Sequence, residues 1–278
     1  MIDENTKIIG RFHTKPSPRG LNIYNPYFQK SGTNAVYLLF YNASPEPLIK
    51  GLRELNLSGA ITAGFESNPD LPGLLDELDE TAKFVGKVGF ITNRNGVVKG
   101  FNQGGIGLLN AINSKHNISG KKIVIVGAGN VVKSLLFTIN KLPINQQPTE
   151  IDIFNRTVGN AESIAANFKL INKVSSLDEI SSARGDILLN ISEIGSKVED
   201  TIFTEKLLTN FSGVSDVTFE KENTNLISLA KKLNKTYSTG WDMFTYQGKE
   251  CLEKILNIEI DANLLKECVA EGLSSVVK

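Results

Sequence analysis

Short apolar runs alternate with amphipathic stretches along the first third of the chain. TKIIGRF, NAVYLLFY and LSGAITAGF read as strands. PEPLIKGLREL sets Leu48, Ile49, Leu52 and Leu55 at helical spacing behind prolines that suit a first helical turn. Strands alternating with helices predict a mainly parallel sheet. The pattern restarts at Lys121. KKIVIV is a buried-strand run, GAGN a tight turn and VVKSLLFTINKL a helix that ends before Pro143. TEIDIFNRT then reads as a second strand, NAESIAANF as a helix, DILLNIS as a third strand and GVSDVTF as a fourth. This alternation predicts a doubly wound sheet over about residues 106–240. From Gln247 onward CLEKIL and NLLKECVAEGL read as helices. No internal repeat or low-complexity segment interrupts the chain, and INQQPTE is a polar connection.

Composition narrows the function class. At 278 residues, 41% hydrophobic and 22% charged, the chain has enough apolar material for one large unit or two smaller ones. Its 30 basic and 30 acidic residues cancel, so no field of one sign gathers nucleic acid or an anionic membrane. A small-molecule partner is the default. Cys251 and Cys268 form no CxxC pair and have no neighbouring His, which predicts reduced structural thiols and no metal site. The start, MIDENTKIIG, is polar and acidic, and no apolar run approaches the ~20 residues of a membrane helix. A cytoplasmic protein is expected. The pattern carries no mark of oligomeric state.

The segment after KKIVIV is a candidate nucleotide site. Gly127 and Gly129 follow a strand and precede a helix, so the backbone of Gly127, Ala128, Gly129, Asn130 and Val131 can approach a pyrophosphate at a helix N-terminus. The third small position of the motif is Val132, which is bulkier than usual. At the end of the second strand stand Asn155, Arg156 and Thr157, where NAD-specific proteins place a carboxylate. An Arg there pairs with a 2′-phosphate and favours NADP. Two alternatives stay open: a glycine turn without nucleotide, and Arg156 as a solvated surface charge.

The order of motifs resembles the shikimate dehydrogenase family over nearly the whole chain. The matching pieces are YNPYF, GLREL-LSGAIT, DELDETAKFVG, GVVKGFNQGGIGLLNAI, GKKIVIVGAGN, FNRT, LLNISEIG, SDVTF and TGWDMFTYQGKE. The resemblance implies an α/β fold of two domains. Residues 1–105 with 241–278 would form a substrate domain completed by C-terminal helices, and 106–240 a Rossmann-like NADP domain. It also implies that Thr62, Asn102 and Gln247 face substrate, while Gly240 and Met243 border the nicotinamide.

Departures from the family fall at its chemistry. The family moves a hydroxyl proton with a Lys and an Asp. Those positions match Glu66 and Gly104 here, and no Lys occurs from Gly51 to Ala82 and no Asp from Glu80 to Ile151. The family's AVNT reads Lys87-Val88-Gly89-Phe90, and its nicotinamide Tyr is Phe219. Its SxSP becomes Lys15-Pro16-Ser17-Pro18 if three residues are inserted afterwards, and loses both serines otherwise. Three readings follow. One is an NADP-dependent oxidoreductase acting on a different small polar substrate, with Glu66 as acid or base and Lys15, Ser17 or Lys87 on the substrate. The second is a non-catalytic nucleotide- or ligand-binding protein, and the third a weak shikimate dehydrogenase.

Overall fold

The apolar runs of the first third become strands of one sheet, and those after Lys121 become strands of another. The computed structural model describes residues 2–16, 18–195 and 202–274. The chain divides into unit 1, Met1–Gly104 with Gln247–Lys278, and unit 2, Gly105–Tyr246. The helices along the described residues are α1 Leu21–Ser31, α2 Glu46–Glu54, α3 Glu80–Val85, α4 Gly104–Asn113, α5 Asn130–Asn140, α6 Val158–Ala165, α7 Glu205–Leu208, α8 Asn225–Lys232, α9 Gly240–Leu256 and α10 Ala262–Ser274. None is long and apolar enough to cross a membrane.

In unit 1 the strands are β1 Lys7–His13, β2 Ala35–Tyr41, β3 Gly59–Ile61, β4 Glu77–Leu78, β5 Phe90–Arg94 and β6 Val97–Phe101, in the order β2-β1-β3-β5-β6-β4. β1 runs parallel to β2 and β3, but β5 is antiparallel to β3 and β6. With β4 also parallel to β6 the sheet is mainly parallel, as the alternation predicts, with an antiparallel insertion at β5. The cause is Asn95-Gly96, whose φ angles of 53° and 86° make a two-residue hairpin between β5 and β6. On one face Phe12, Ile49, Leu52, Phe65, Val88 and Ile91 pack into a core. Elsewhere in the unit α10 packs on α1, and Cys251, Leu252 and Ile255 of α9 are buried. Gly59 fits against Ile255, because a Cβ there would lie 3.0 Å from its Cγ1 and 2.4 Å from the Ile91 carbonyl. Cys251 and Cys268 are both free and buried.

Unit 2 holds β7 Lys122–Val126, β8 Glu150–Asn155, β9 Ile171–Ser176, β10 Ile187–Asn190, β11 Gly213–Asp216 and β12 Thr236–Ser238. Every pair is parallel, in the order β12-β11-β10-β7-β8-β9. The chain winds outward from β7 through β8 to β9, returns to β10 and winds the other way, so the topological switch lies between β7 and β10. DILLNIS is thus the fourth strand and GVSDVTF the fifth, a correction to the sequence count. β9 escaped notice because it is an edge strand whose exposed Asn172 and Lys173 break any apolar run, and β12 is three residues long.

Candidate functional site

The glycine turn of unit 2 sits at the switch point. Gly127 follows β7 with φ of 119°, and a Cβ on it would lie 2.3 Å from the Ile191 carbonyl beyond β10. Only glycine fits both the dihedral and the approach. Gly129 is the N-cap of α5, with extended backbone, no side-chain cap and nothing within 4 Å of an added Cβ. With no acid in the first turn of α5, the N–H groups around Asn130 and Val131 and the positive dipole end are available to an anion. Ala128 is half-buried. Val132, the bulky third position, is accommodated in the core at 0% exposure.

The small residue that lets a neighbouring element approach α5 is Gly105 of α4. Its Cβ would stand 2.2 Å from the Ser134 carbonyl, and its N–H donates to Ser134 Oγ at 2.7 Å. One glycine of the NQGG stretch is thereby a packing residue.

At the end of β8, Asn155 Nδ2 donates to the Thr157 carbonyl at 2.8 Å, and Arg156 is exposed. The carboxylates of this strand are taken, because Lys122 pairs with Glu150 at 2.8 Å and with Asp152 at 2.9 Å. The rim of β10 and β11 is braced by polar side chains that sequence reasoning did not single out. Asp216 accepts from Asn190 Nδ2 at 3.1 Å, Thr218 N–H at 3.0 Å and Thr224 Oγ1 at 2.7 Å. Burial pushes its carboxyl up while those bonds pull it back. Gly240 opens α9 tight against this rim, since a Cβ on it would lie 2.3 Å from the Thr218 carbonyl. Thr239 and Asp242 form a reciprocal cap there, with the Thr239 N–H on Asp242 Oδ2 at 2.9 Å and the Asp242 N–H on Thr239 Oγ1 at 3.3 Å. Met243, in the first turn, is buried.

In unit 1 the substrate candidates gather around the segment Lys87–Gly89. Thr62, just past β3, is fully buried and donates its hydroxyl to the Val88 carbonyl at 2.8 Å. Asn102 donates to the Lys87 carbonyl at 3.1 Å and accepts the Gly104 N–H at 3.2 Å, opening α4. Glu66 is raised from its ordinary value by crowding of its carboxyl, and the Lys87 charge opposes that rise, so the two side chains are neighbours. As a residue Glu66 stays exposed, so the shift is that of a carboxyl at a crowded rim. Lys15 is exposed, its N–H bonded to His13 Nδ1, and Gln247 is half-exposed on α9. Ser17 lies outside the described residues.

Two further residues of unit 1 carry unusual chemistry. A Cβ on Gly89 would lie 2.1 Å from Gln103 Oε1, so the Gln103 amide occupies the side-chain space of position 89, and that oxygen is buried without a partner. The signal was present as a paired change, a residue lost at 89 and a longer one at 103, but the pairing needs the fold to be seen. The second is Arg11, buried in β1.

A family model described as Shikimate / quinate 5-dehydrogenase matches residues 110–212. The shikimate dehydrogenase (NADP(+)) of Geobacillus sp. (strain WCH70) is 32% identical over 262 residues, covering 90% of this chain and 92% of that protein. Among solved structures, a shikimate dehydrogenase in complex with NADP+ has a TM-score of 0.80 and 26% identity, covering 97% of this chain and 96% of its own. A shikimate 5-dehydrogenase-like protein has a TM-score of 0.83 at 24% identity, with 98% and 99% covered, a likeness of fold. The fold and sites define a two-unit α/β protein with a Rossmann-like unit. The chain belongs to the shikimate dehydrogenase family.

Proposed function

We propose that the protein is an NADP-dependent oxidoreductase acting on a small polar substrate other than shikimate, a ring compound or something like it. The observation that supports the cofactor is the C-terminal end of β8, where no carboxylate stands and the exposed Arg156 is the charged side chain, Glu150 and Asp152 lying at the start of the strand in ion pairs with Lys122. A guanidinium suits a 2′-phosphate, which a carboxylate would repel. The NADP(+)-dependent relatives support the same choice. Gly127–Val131 hold the pyrophosphate on the N-terminus of α5, and Gly240 and Met243 border the nicotinamide. NADP, when bound, supplies the hydride acceptor. On the substrate side Glu66 takes the hydroxyl proton. Burial raises its pKa from the ordinary carboxylate value, which makes it a stronger base, and the Lys87 charge opposes that rise. Lys15 and Ser17 are assigned to the same substrate.

Calorimetric titration with NADPH and NADH tests this reading. NADPH is expected to bind at least ~10-fold more tightly, the factor of one charge-assisted contact. Equal affinities, or no binding of either, would refute it. One observation favours a second reading, a non-catalytic ligand-binding protein: the donor groups of Thr62 and Asn102 are spent on the backbone of Lys87–Val88. Tight NADPH binding without turnover of any of a panel of cyclic hydroxy acids would select that reading.

A further inference from the structure

Asn190 and Asp216 end β10 and β11 side by side, paired in the parallel ladder, and Val126 stands across from Asn190 in the same row, one residue before Gly127. In a doubly wound sheet ligands bind just beyond that row. Asn190 is 0% exposed and Asp216 1%. The two buried side chains are bonded out to different loops. Asn190 Nδ2 donates to the Ile194 carbonyl at 2.8 Å and to Asp216 Oδ1 at 3.1 Å, and its Oδ1 accepts the Ser192 hydroxyl at 2.6 Å. The Ser192 oxygen in turn accepts the Ile194 N–H at 3.2 Å. One amide thus holds the turn after β10.

Asp216 gathers the other side. Besides Asn190, its carboxylate accepts the Thr218 N–H at 3.0 Å and the Thr224 hydroxyl at 2.7 Å, and the Thr224 oxygen caps α8 by accepting the Ile227 N–H at 3.3 Å. Each of these partners of Asp216 is a donor. An acceptor without hydrogens satisfies them together, whereas an amide at this position would turn its NH2 group toward a donor. Beyond Thr218 the loop meets α9: Trp241 Nε1 donates to the Phe219 carbonyl at 3.0 Å, and a Cβ on Gly240 would lie 2.3 Å from the Thr218 carbonyl. At the opposite end the Ile191 carbonyl sits against Gly127. The contacts run from the glycine turn through Ile191, Asn190, Asp216 and Thr218 to the start of α9.

We infer that Asp216 is a positioning residue: through Asn190 and the Thr218 N–H it holds the loops after β10 and β11 as one rim that seats the nicotinamide half of the cofactor. This rests on the proposed function, which puts the nicotinamide beside Gly240 and Met243. The adenine half is assigned to Arg156 at the end of β8, and β8 flanks β7 on the side away from β10 and β11. Loosening the rim therefore acts on one half of the cofactor and spares the other.

The test compares the full chain with its Asp216→Asn and Asn190→Ala variants, using NADPH and adenosine 2′,5′-bisphosphate in calorimetry. In both variants NADPH should weaken about 10-fold, the scale of one misplaced hydrogen bond, while the bisphosphate changes less than about 2-fold. Amide hydrogen exchange without ligand should speed up at Ile194 and Thr218 together, because either variant cuts the same link. Asn190→Ala covers the case in which Asp216→Asn does not fold. Equal weakening of the two ligands, parental NADPH affinity, or faster exchange confined to one of the two loops would overturn the inference. A parent that does not bind NADPH sinks the cofactor reading instead, and the exchange rates alone then decide whether Asp216 ties the loops together.

Discussion

Gly127 and Gly129 are two residues apart in one turn, and replacing each by Ala separates folding from binding. In Gly127→Ala the backbone is held at φ of 119°, and the new Cβ is 2.3 Å from the Ile191 carbonyl, a separation that real Cβ atoms essentially never show. Holding a non-glycine residue in such a region costs about 1–3 kcal/mol. The clash also strains the Ile191 N–H bond to the Val126 carbonyl, 2.8 Å long, whose loss adds about 1 kcal/mol. The sum is about 2–4 kcal/mol, or a fall in melting temperature of about 6–12 °C for a unit of this size. Gly129→Ala meets nothing within 4 Å and sits in extended backbone. Its poorer N-cap is offset by lower entropy of the unfolded chain, so its stability should stay within about 1 kcal/mol of the parent. Its methyl group stands over the N-terminus of α5, however, and should weaken NADPH at least ~10-fold. Differential scanning calorimetry and NADPH fluorescence titration read the two effects. Equal melting temperatures for the two variants would refute the account of Gly127, and parental NADPH affinity in Gly129→Ala would remove the turn as the cofactor site.

Arg156→Ala should weaken NADPH by about 10-fold or more while NADH changes little, measured by competitive titration. Shikimate oxidation with NADP should run at least ~10²-fold below an ordinary family member, given Glu66 and Gly104 at the proton-transfer positions; a steady-state rate of ordinary size would contradict this. His116 is buried between the Val214 carbonyl at 3.1 Å and Thr236 Oγ1 at 3.0 Å, and burial lowers its pKa from 6.5 although the carbonyl bond opposes the shift. The unfolded chain then takes up a proton first, so this contribution to stability is lost as pH falls below 6.5. The melting-temperature difference between the parent and His116→Gln should therefore shrink from pH 7 to pH 5, and a constant difference would count against a neutral buried imidazole.

The doubly wound sheet was legible because a parallel strand buried on both faces, as in KIVIV, leaves an unbroken apolar run before its glycine turn. Edge strands do not, which is why β9 was missed. The antiparallel part of unit 1 was announced by Asn95-Gly96, a local signal that the strand–helix alternation outweighed. Around the candidate site, Gly127 could be read from its motif, but Gly105 could not be separated from Gly104 without the packing of Ser134 against it. Gln103 and Gly89 are brought together by the Gly89 N–H bond to the Phe101 carbonyl at 2.8 Å, a neighbourhood no spacing encodes. Arg11 in TKIIGRF looks like any polar residue in a strand. Only the fold shows that it is buried beside Tyr37.

Unit 1 is assembled from two pieces of chain, Met1–Gly104 and Gln247–Lys278, while unit 2 is continuous. During synthesis the first piece emerges without the helices that bury Ile23 and Gly59 in the finished unit. A Cβ on Gly272 would lie 2.5 Å from Ile23, and Ile255 covers Gly59. At about 5–20 residues per second, the 142 residues between Gly104 and Gln247 take roughly 7–30 s to make. For that interval an apolar face waits uncovered on the nascent chain, although unit 2 already has every strand of its own sheet by Ser238. The second unit can thus complete its fold before the first, and the N-terminal piece is where a chaperone would find its longest-lived target.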